Sequence, residues 1–278
     1  MSFQNEVVLF CEGRKDSLDL KIYNKISPGS TKITIKPLGS KYGSFAHVEG
    51  YRQSGGINAK KKFVLIRDRD FDFPVPQNPE LIVAKENPEN AFYYYSTYKT
   101  TIENYLLSVK LLADFLEKEE NFINTLVINA AKQITNYSTV RHALGAIRVH
   151  NQRAETTWTG GSGKISTILD KSFEECCAEA IKLIDKFKNQ FDHYNHAVFA
   201  TKSNEFLTQF MADEFLTNSY FLDYYNGKDL EKSISILAEK QKINIDWDKY
   251  HDFAIDKIDF LGFPDMKQLS EKLKFLVS

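Results

Sequence analysis

Two stretches decide the fold: Glu6-Val7-Val8-Leu9-Phe10-Cys11-Glu12-Gly13, and Lys62-Phe63-Val64-Leu65-Ile66-Arg67-Asp68-Arg69-Asp70-Phe71-Asp72. Each is a short, unbroken apolar run rich in β-branched and aromatic residues, and each ends abruptly in acid. Such runs predict strands buried on both faces, as in the interior of a parallel sheet. In open parallel sheets functional groups gather where the carboxyl ends of the strands meet their loops. Glu12 and Asp68 are therefore expected to converge despite their separation in sequence. Asp68 and Asp70 alternate along a segment read as extended, which would turn both to one side. Carboxylate oxygens without accompanying Cys or His suit Mg²⁺ or Mn²⁺. Acids after strands also serve as helix caps, and that reading is preferred for Asp16 and Asp19. The alternating trio Asp68, Asp70 and Asp72 is harder to dismiss, because three close carboxylates repel unless a cation or a buried arginine offsets them.

Working outward, Leu18, Ile22 and Ile26 recur at helical spacing until Pro28 and Gly29 stop the pattern. Residues 32 to 38 read as a second strand and 44 to 53 as a weaker helix. After the acidic run come Pro74, Pro76 and Pro79, then strand candidates at 81 to 84 and 91 to 95. Strands alternating with helices predict an α/β fold, a mostly parallel sheet flanked by helices. From about residue 105 the chain becomes helical, with candidates at 107–118, 137–150, 172–190, 203–216, 229–241 and 264–276. The expected division is a catalytic domain over 1–107 and a helical region over 108–278 for dimerisation, partner or substrate binding.

Composition narrows the class. At 278 residues the chain can bury one large core or two smaller ones, and 42% hydrophobic with 26% charged residues is the balance of a folded protein. Thirty-six Lys and Arg against thirty-seven Asp and Glu leave no global field to announce nucleic acid or membrane. Cys11, Cys176 and Cys177 form neither an even set nor a CxxC pair, and the N-terminus lacks the pattern of a signal peptide, so a cytoplasmic location is expected.

Glu12-Gly13-Arg14-Lys15-Asp16 after one strand, a second strand ending in Gly39, and Asp68-Arg69-Asp70 after a third together resemble the TOPRIM fold of topoisomerases, primases and OLD-type nucleases. The resemblance implies that Glu12, Asp68 and Asp70 bind Mg²⁺ and handle proton transfer in phosphodiester chemistry, with Asp72 at a further acidic position. Thr101-Ile102-Glu103-Asn104-Tyr105-Leu106-Leu107 resembles a segment of a bacterial OLD-like group that includes the effector subunit of the PARIS anti-phage defence system. That makes Glu103 an additional candidate ligand. The likeness spans about residues 5 to 107, and departs from the pattern at Lys36-Pro37-Leu38-Gly39-Ser40-Lys41-Tyr42-Gly43, where Pro and Tyr stand in place of small or basic residues. It implies a toxin-like nuclease held inactive by an ATPase sensor subunit and released, as a homodimer, to cleave host RNA such as tRNA. DNA cleavage of the OLD type and a non-catalytic scaffold that binds an ATPase are the alternatives.

Glu12 is the expected general acid or base, because neighbouring carboxylates raise a carboxyl toward the useful range. No tyrosine is assignable as a strand-transfer nucleophile, so hydrolysis is favoured over topoisomerisation. A phosphatase with a phosphorylated aspartate would place its acids on the first strand and Thr or Val at position 72. For nucleic-acid binding the candidates are Lys41, Arg141, Arg148, Arg153 and Lys164, with Tyr137 and Trp158 near enough in sequence to stack on a base. A solvated basic helix face is the equal alternative for the Arg141, His142, Arg148, His150 and Arg153 cluster. Gly160-Gly161-Ser162-Gly163-Lys164 fails the phosphate-loop pattern and reads as a flexible loop. His193 and His196 read as a surface pair.

Overall fold

The computed structural model describes residues 5–39, 44–54, 61–149, 169–187 and 195–278. Lys41, His150, Arg153, Trp158, Lys164, His193 and the glycine-rich stretch lie outside them. Five strands, β1 (Glu6–Cys11), β2 (Ile33–Pro37), β3 (Lys61–Arg67), β4 (Ile82–Asn87) and β5 (Phe92–Ser96), form one sheet in the order β2-β1-β3-β5-β4. The two apolar runs fall on the central strands, where Val7 to Cys11 and Phe63 to Ile66 are buried. All pairings are parallel except that of β4 with β5 at the edge, so the expected mostly parallel sheet is present.

The helices described are α1 (Leu18–Ile26), α2 (Ser44–Ser54), α3 (Val109–Leu116), α4 (Glu120–Gln133), α5 (Thr135–Val149), α6 (Phe173–Phe187), α7 (His196–Phe210), α8 (Asp213–Thr217), α9 (Phe221–Tyr224), α10 (Gly227–Lys240), α11 (Trp247–Lys257) and α12 (Pro264–Val277). Single 3-10 turns cover Ile102–Tyr105 and Phe260–Gly262. None is long and apolar enough to cross a membrane among the described residues. The expected helix at 203–216 is two, broken at Met211 and Ala212. Sequence reading passed over α4 and α11, although Ile123, Leu126, Val127, Ala130 and Ala131 repeat at helical spacing.

The chain divides into two compact units, and the division differs from the expected one. The first takes in Met1–Arg69, Pro76–Leu106 and His251–Ser278; the second takes in Asp70–Val75 and Leu107–Tyr250. The C-terminal helix therefore belongs to the sheet. Within the first unit, Phe45 and Tyr51 of α2 pack edge-on against Tyr94 and Phe10, covering one face of the sheet. Tyr95 points to the other face, as successive strand residues must, and Lys272 of α12 lies over its ring. Met266, Leu269, Leu273 and Leu276 of α12 are buried. Lys62 Nζ donates to Leu276 O and Leu81 N to Gln268 Oε1, both at 2.9 Å.

In the second unit α5, α6 and α7 close on Val140, Leu144, Ile147, Cys176, Ala180, Ile184 and Phe199. A second cluster gathers His142, Phe206, Phe210, Phe215 and Tyr224.

Candidate metal centre

The first unit builds its acidic site at the carboxyl ends of β1 and β3. These strands pair in parallel with Phe10 opposite Leu65, so Glu12 and Asp68 leave the sheet at the same end. Cys11, one residue before Glu12, reports on the charge there. Burial pushes its thiol up to about 12, and the nearby carboxylates of Asp19, Glu12 and Asp68 add to that shift. A thiol so placed stays protonated and unreactive.

Asp19 is the member that sequence reading missed. The cap of α1 is Ser17, whose hydroxyl accepts from Leu20 N, while Asp16 takes a left-handed conformation at φ 69°. Asp19 is therefore not the cap, and its carboxylate lies against Gly13. A Cβ at Gly13 would stand 2.7 Å from Asp19 Oδ2 and 1.9 Å from Ser17 Oγ, so only glycine permits this turn after Glu12. Gly39 joins the same end of the sheet, its N–H donating to Gly13 O at 2.8 Å.

Tyr23, also on α1, is wholly buried beneath the cluster. Burial holds its phenol well above the usual range, and the charges of Asp68 and Asp19 hold it higher. Its hydroxyl meets no hydrogen-bond partner among the described residues. A buried orphan hydroxyl beside carboxylates is the kind of group that an ion and its water would satisfy.

Asp68 and the segment from Thr97 to Tyr105 are stitched together. Asp68 Oδ2 accepts from Ile102 N at 3.2 Å, at the start of the 3-10 turn that carries the buried Glu103. Arg69, wholly buried, donates through Nε to Tyr98 O at 2.8 Å and through a terminal nitrogen to Thr100 Oγ1 at 2.7 Å. Thr101 and Asn104 close the turn on themselves. The order of Asp68, Arg69 and Glu103 in space thus follows from one hydrogen-bonded corner.

Two expectations are corrected. The segment after β3 is a turn, since Asp70 is left-handed at φ 46°, so the alternation argument for Asp68 and Asp70 does not apply. Asp70 and Asp72 belong with the second unit, where Asp70 is near enough to Arg141 to be felt by it. And the neighbour that meets Glu12 is a guanidinium: Arg67 Nε donates to Glu12 Oε1 at 3.0 Å, with both side chains largely buried. Carboxylates are therefore not the only charges beside Glu12.

In kind, the donors fit a hard divalent cation: Glu12, Asp19 and Asp68 offer only carboxylate oxygens, above an unsatisfied phenol. As built, no group of three or more His, Cys, Asp or Glu side chains is spaced to hold an ion among the described residues. These carboxylates would have to draw together to do so.

The basic candidates are differently placed. Arg141 packs over the ring of Phe71 at 4.5 Å, donates to Tyr137 Oη at 2.5 Å and lies 3.8 Å from Asp229. His142 is buried, its Nε2 2.8 Å from Tyr224 O. Neither side chain is part of a solvated basic face. Of Arg148, only its place on α5 is described. His196 pairs with Asp185 at 3.0 Å.

No family model matches this sequence, and no curated protein matches it at a significant level.

Proposed function

We propose that the chain is a metal-dependent phosphodiester hydrolase, a nuclease built on a TOPRIM-type domain. The observation that carries this reading is the emergence of Glu12 and Asp68 from the same end of neighbouring parallel strands, with Asp19 beside them. Glu12, Asp19 and Asp68 would hold Mg²⁺ or Mn²⁺, and Glu103 is the remaining candidate within the same unit. A bound cation would polarise the phosphodiester and offset charge on the leaving oxygen. Glu12 would accept or return a proton in that chemistry. Arg67, beside it, supplies a fixed positive charge suited to a phosphate oxygen.

The role in anti-phage defence, tRNA as substrate, release from an ATPase sensor and action as a homodimer rest on the sequence resemblance alone. DNA is the alternative substrate. A decisive experiment incubates the purified chain and Glu12→Gln with labelled tRNA, single-stranded DNA and duplex DNA, with Mg²⁺ or Mn²⁺ and with chelator. Cleavage of tRNA that needs metal and Glu12 is the expected result. No metal-dependent cleavage of any substrate sinks the proposal.

A second reading has its own support. Arg67 already pairs with Glu12, and Asp68 accepts from Ile102 N at the start of a turn, which suits a TOPRIM scaffold that binds a partner without catalysis.

A further inference from the structure

The first turn of α12 reaches the carboxyl end of the sheet through Asp265, and every residue concerned belongs to the first unit. Asp265 is 2% exposed. Its Oδ2 accepts from Tyr98 N at 2.9 Å and from Tyr105 Oη. The Tyr105 oxygen accepts in turn from Lys99 N at 3.0 Å, and the Tyr105 ring meets Phe263 edge-on at 5.1 Å. One carboxylate on the helix therefore holds the segment 98–105 at both of its ends.

From the other side the same segment is held by the end of β3. Thr97 N donates to Arg67 O at 3.0 Å, Arg69 N to Thr97 Oγ1 at 3.2 Å, and the Arg69 guanidinium to Tyr98 O and Thr100 Oγ1. Between the two grips lies Ile102, whose N–H donates to Asp68 Oδ2 at 3.2 Å. The orientation of Asp68 thus depends on where this turn sits. Asp265 and Tyr105 help to fix that place.

An acid in the first turn of a helix ordinarily serves the helix, interacting with its dipole while still in water. That role does not require burial. Removing a carboxylate from water costs free energy unless hydrogen bonds replace the solvent. Here the replacements include donors 167 and 160 positions away in sequence. Apolar packing of Tyr105 alone would keep the corner against the helix without setting its orientation, whereas hydrogen bonds are directional.

We propose that Asp265 and Tyr105 are positioning residues for Asp68, so that the C-terminal helix sets the carboxylate at the end of β3. The inference rests on the reading of Asp68 as a residue of the nuclease site. No residue of the helical unit takes part.

The test uses the full chain with labelled tRNA and DNA substrates in Mg²⁺. Values of kcat and KM are measured for wild type, Tyr105→Phe, Asp265→Ala and Asp265→Asn. Each variant is also melted, and amide hydrogen exchange is followed at Ile102 and, for reference, at Val64 and Leu65 of β3. A remote substitution that misplaces a reacting group by about 1 Å can cost about 100-fold, so Tyr105→Phe and Asp265→Ala should lower kcat at least about tenfold. Lost orientation leaves ground-state binding intact, so KM should change by less than about twofold. Exchange at Ile102 should quicken by about tenfold or more while Val64 and Leu65 keep their protection, as in local opening. Asp265→Asn keeps an oxygen that can accept both hydrogen bonds, and it should recover most of the lost kcat. If wild type cleaves and Tyr105→Phe keeps its kcat within about twofold, or if Ile102 and β3 lose protection together, the inference is overturned and the nuclease reading stands. If wild type cleaves none of the substrates, the nuclease reading fails and takes the inference with it. Should Asp265→Ala not melt cooperatively, Tyr105→Phe, which removes a single oxygen, decides between these outcomes.

Discussion

Glu12 and Arg67 form an ion pair across the ends of β1 and β3, with Arg67 Nε 3.0 Å from Glu12 Oε1. The guanidinium stands where a bound cation and a substrate phosphate would each make opposite demands on it. It would compete with a cation for Glu12 and attract a phosphate.

Arg67→Met should therefore separate two effects. Removing the competing charge should strengthen Mn²⁺ binding by about fivefold or more, since a neighbouring cation of unit charge is worth at least about 1 kcal/mol even at high dielectric. Removing a phosphate partner should raise KM for nucleic acid about tenfold or more. Calorimetry and steady-state cleavage read the two independently; equal loss of both would show that Arg67 only supports the fold.

Tyr23 carries a cost that its fold does not require. A buried hydroxyl without a partner is destabilising by about 1 to 3 kcal/mol, so Tyr23→Phe should stabilise the metal-free chain by about 1 kcal/mol in urea unfolding. The same variant should gain less from added Mn²⁺ than wild type does. A less stable metal-free variant would refute the assignment.

Leu273 of α12 is fully buried in the first unit. Truncating such a leucine removes its transfer energy and leaves a cavity, at a cost of about 2 to 5 kcal/mol. Leu273→Ala should lower the denaturation midpoint accordingly. Phe275→Ala, two residues away and 76% exposed, should change it by less than about 0.5 kcal/mol.

Asp265 gives a pH dependence with a definite sign. Burial raises its carboxyl above the usual range, and hydrogen bonds from Tyr105 Oη and Tyr98 N pull it back only in part. A folded value above the unfolded one means that the folded state holds the proton longer. Stability is then lost as pH rises from the ordinary carboxyl range through the folded value. Asp265→Asn is exempt from that loss, so its cost relative to wild type should shrink as pH rises across the same window. Denaturation at a series of pH values from about 4 upward checks this; a cost that grows with pH would contradict it.

Sequence alone determined the central strands. Val7 to Phe10 and Phe63 to Ile66 are too short and too continuously apolar for anything but a doubly covered sheet, and a parallel sheet brings Glu12 and Asp68 to one end. That much is local pattern plus topology. The helices with clear periodicity were legible for the same reason, while α4 was passed over despite an equally regular stripe.

Only tertiary structure decided the rest. Nothing local says that α12 returns to cover β1, or that Arg67 turns toward Glu12 while Arg69 turns inward to Tyr98 and Thr100. Asp16 and Asp19 look like equivalent caps in sequence, and the structure gives the cap to Ser17 instead. The alternation of Asp68 and Asp70 assumed an extended chain, yet the chain turns at Asp70, which is left-handed. For the helix and the two arginines the deciding contact comes from a residue remote in sequence. Local pattern fixes which face of a strand is apolar, but it carries no information about which distant side chain will meet a given charge.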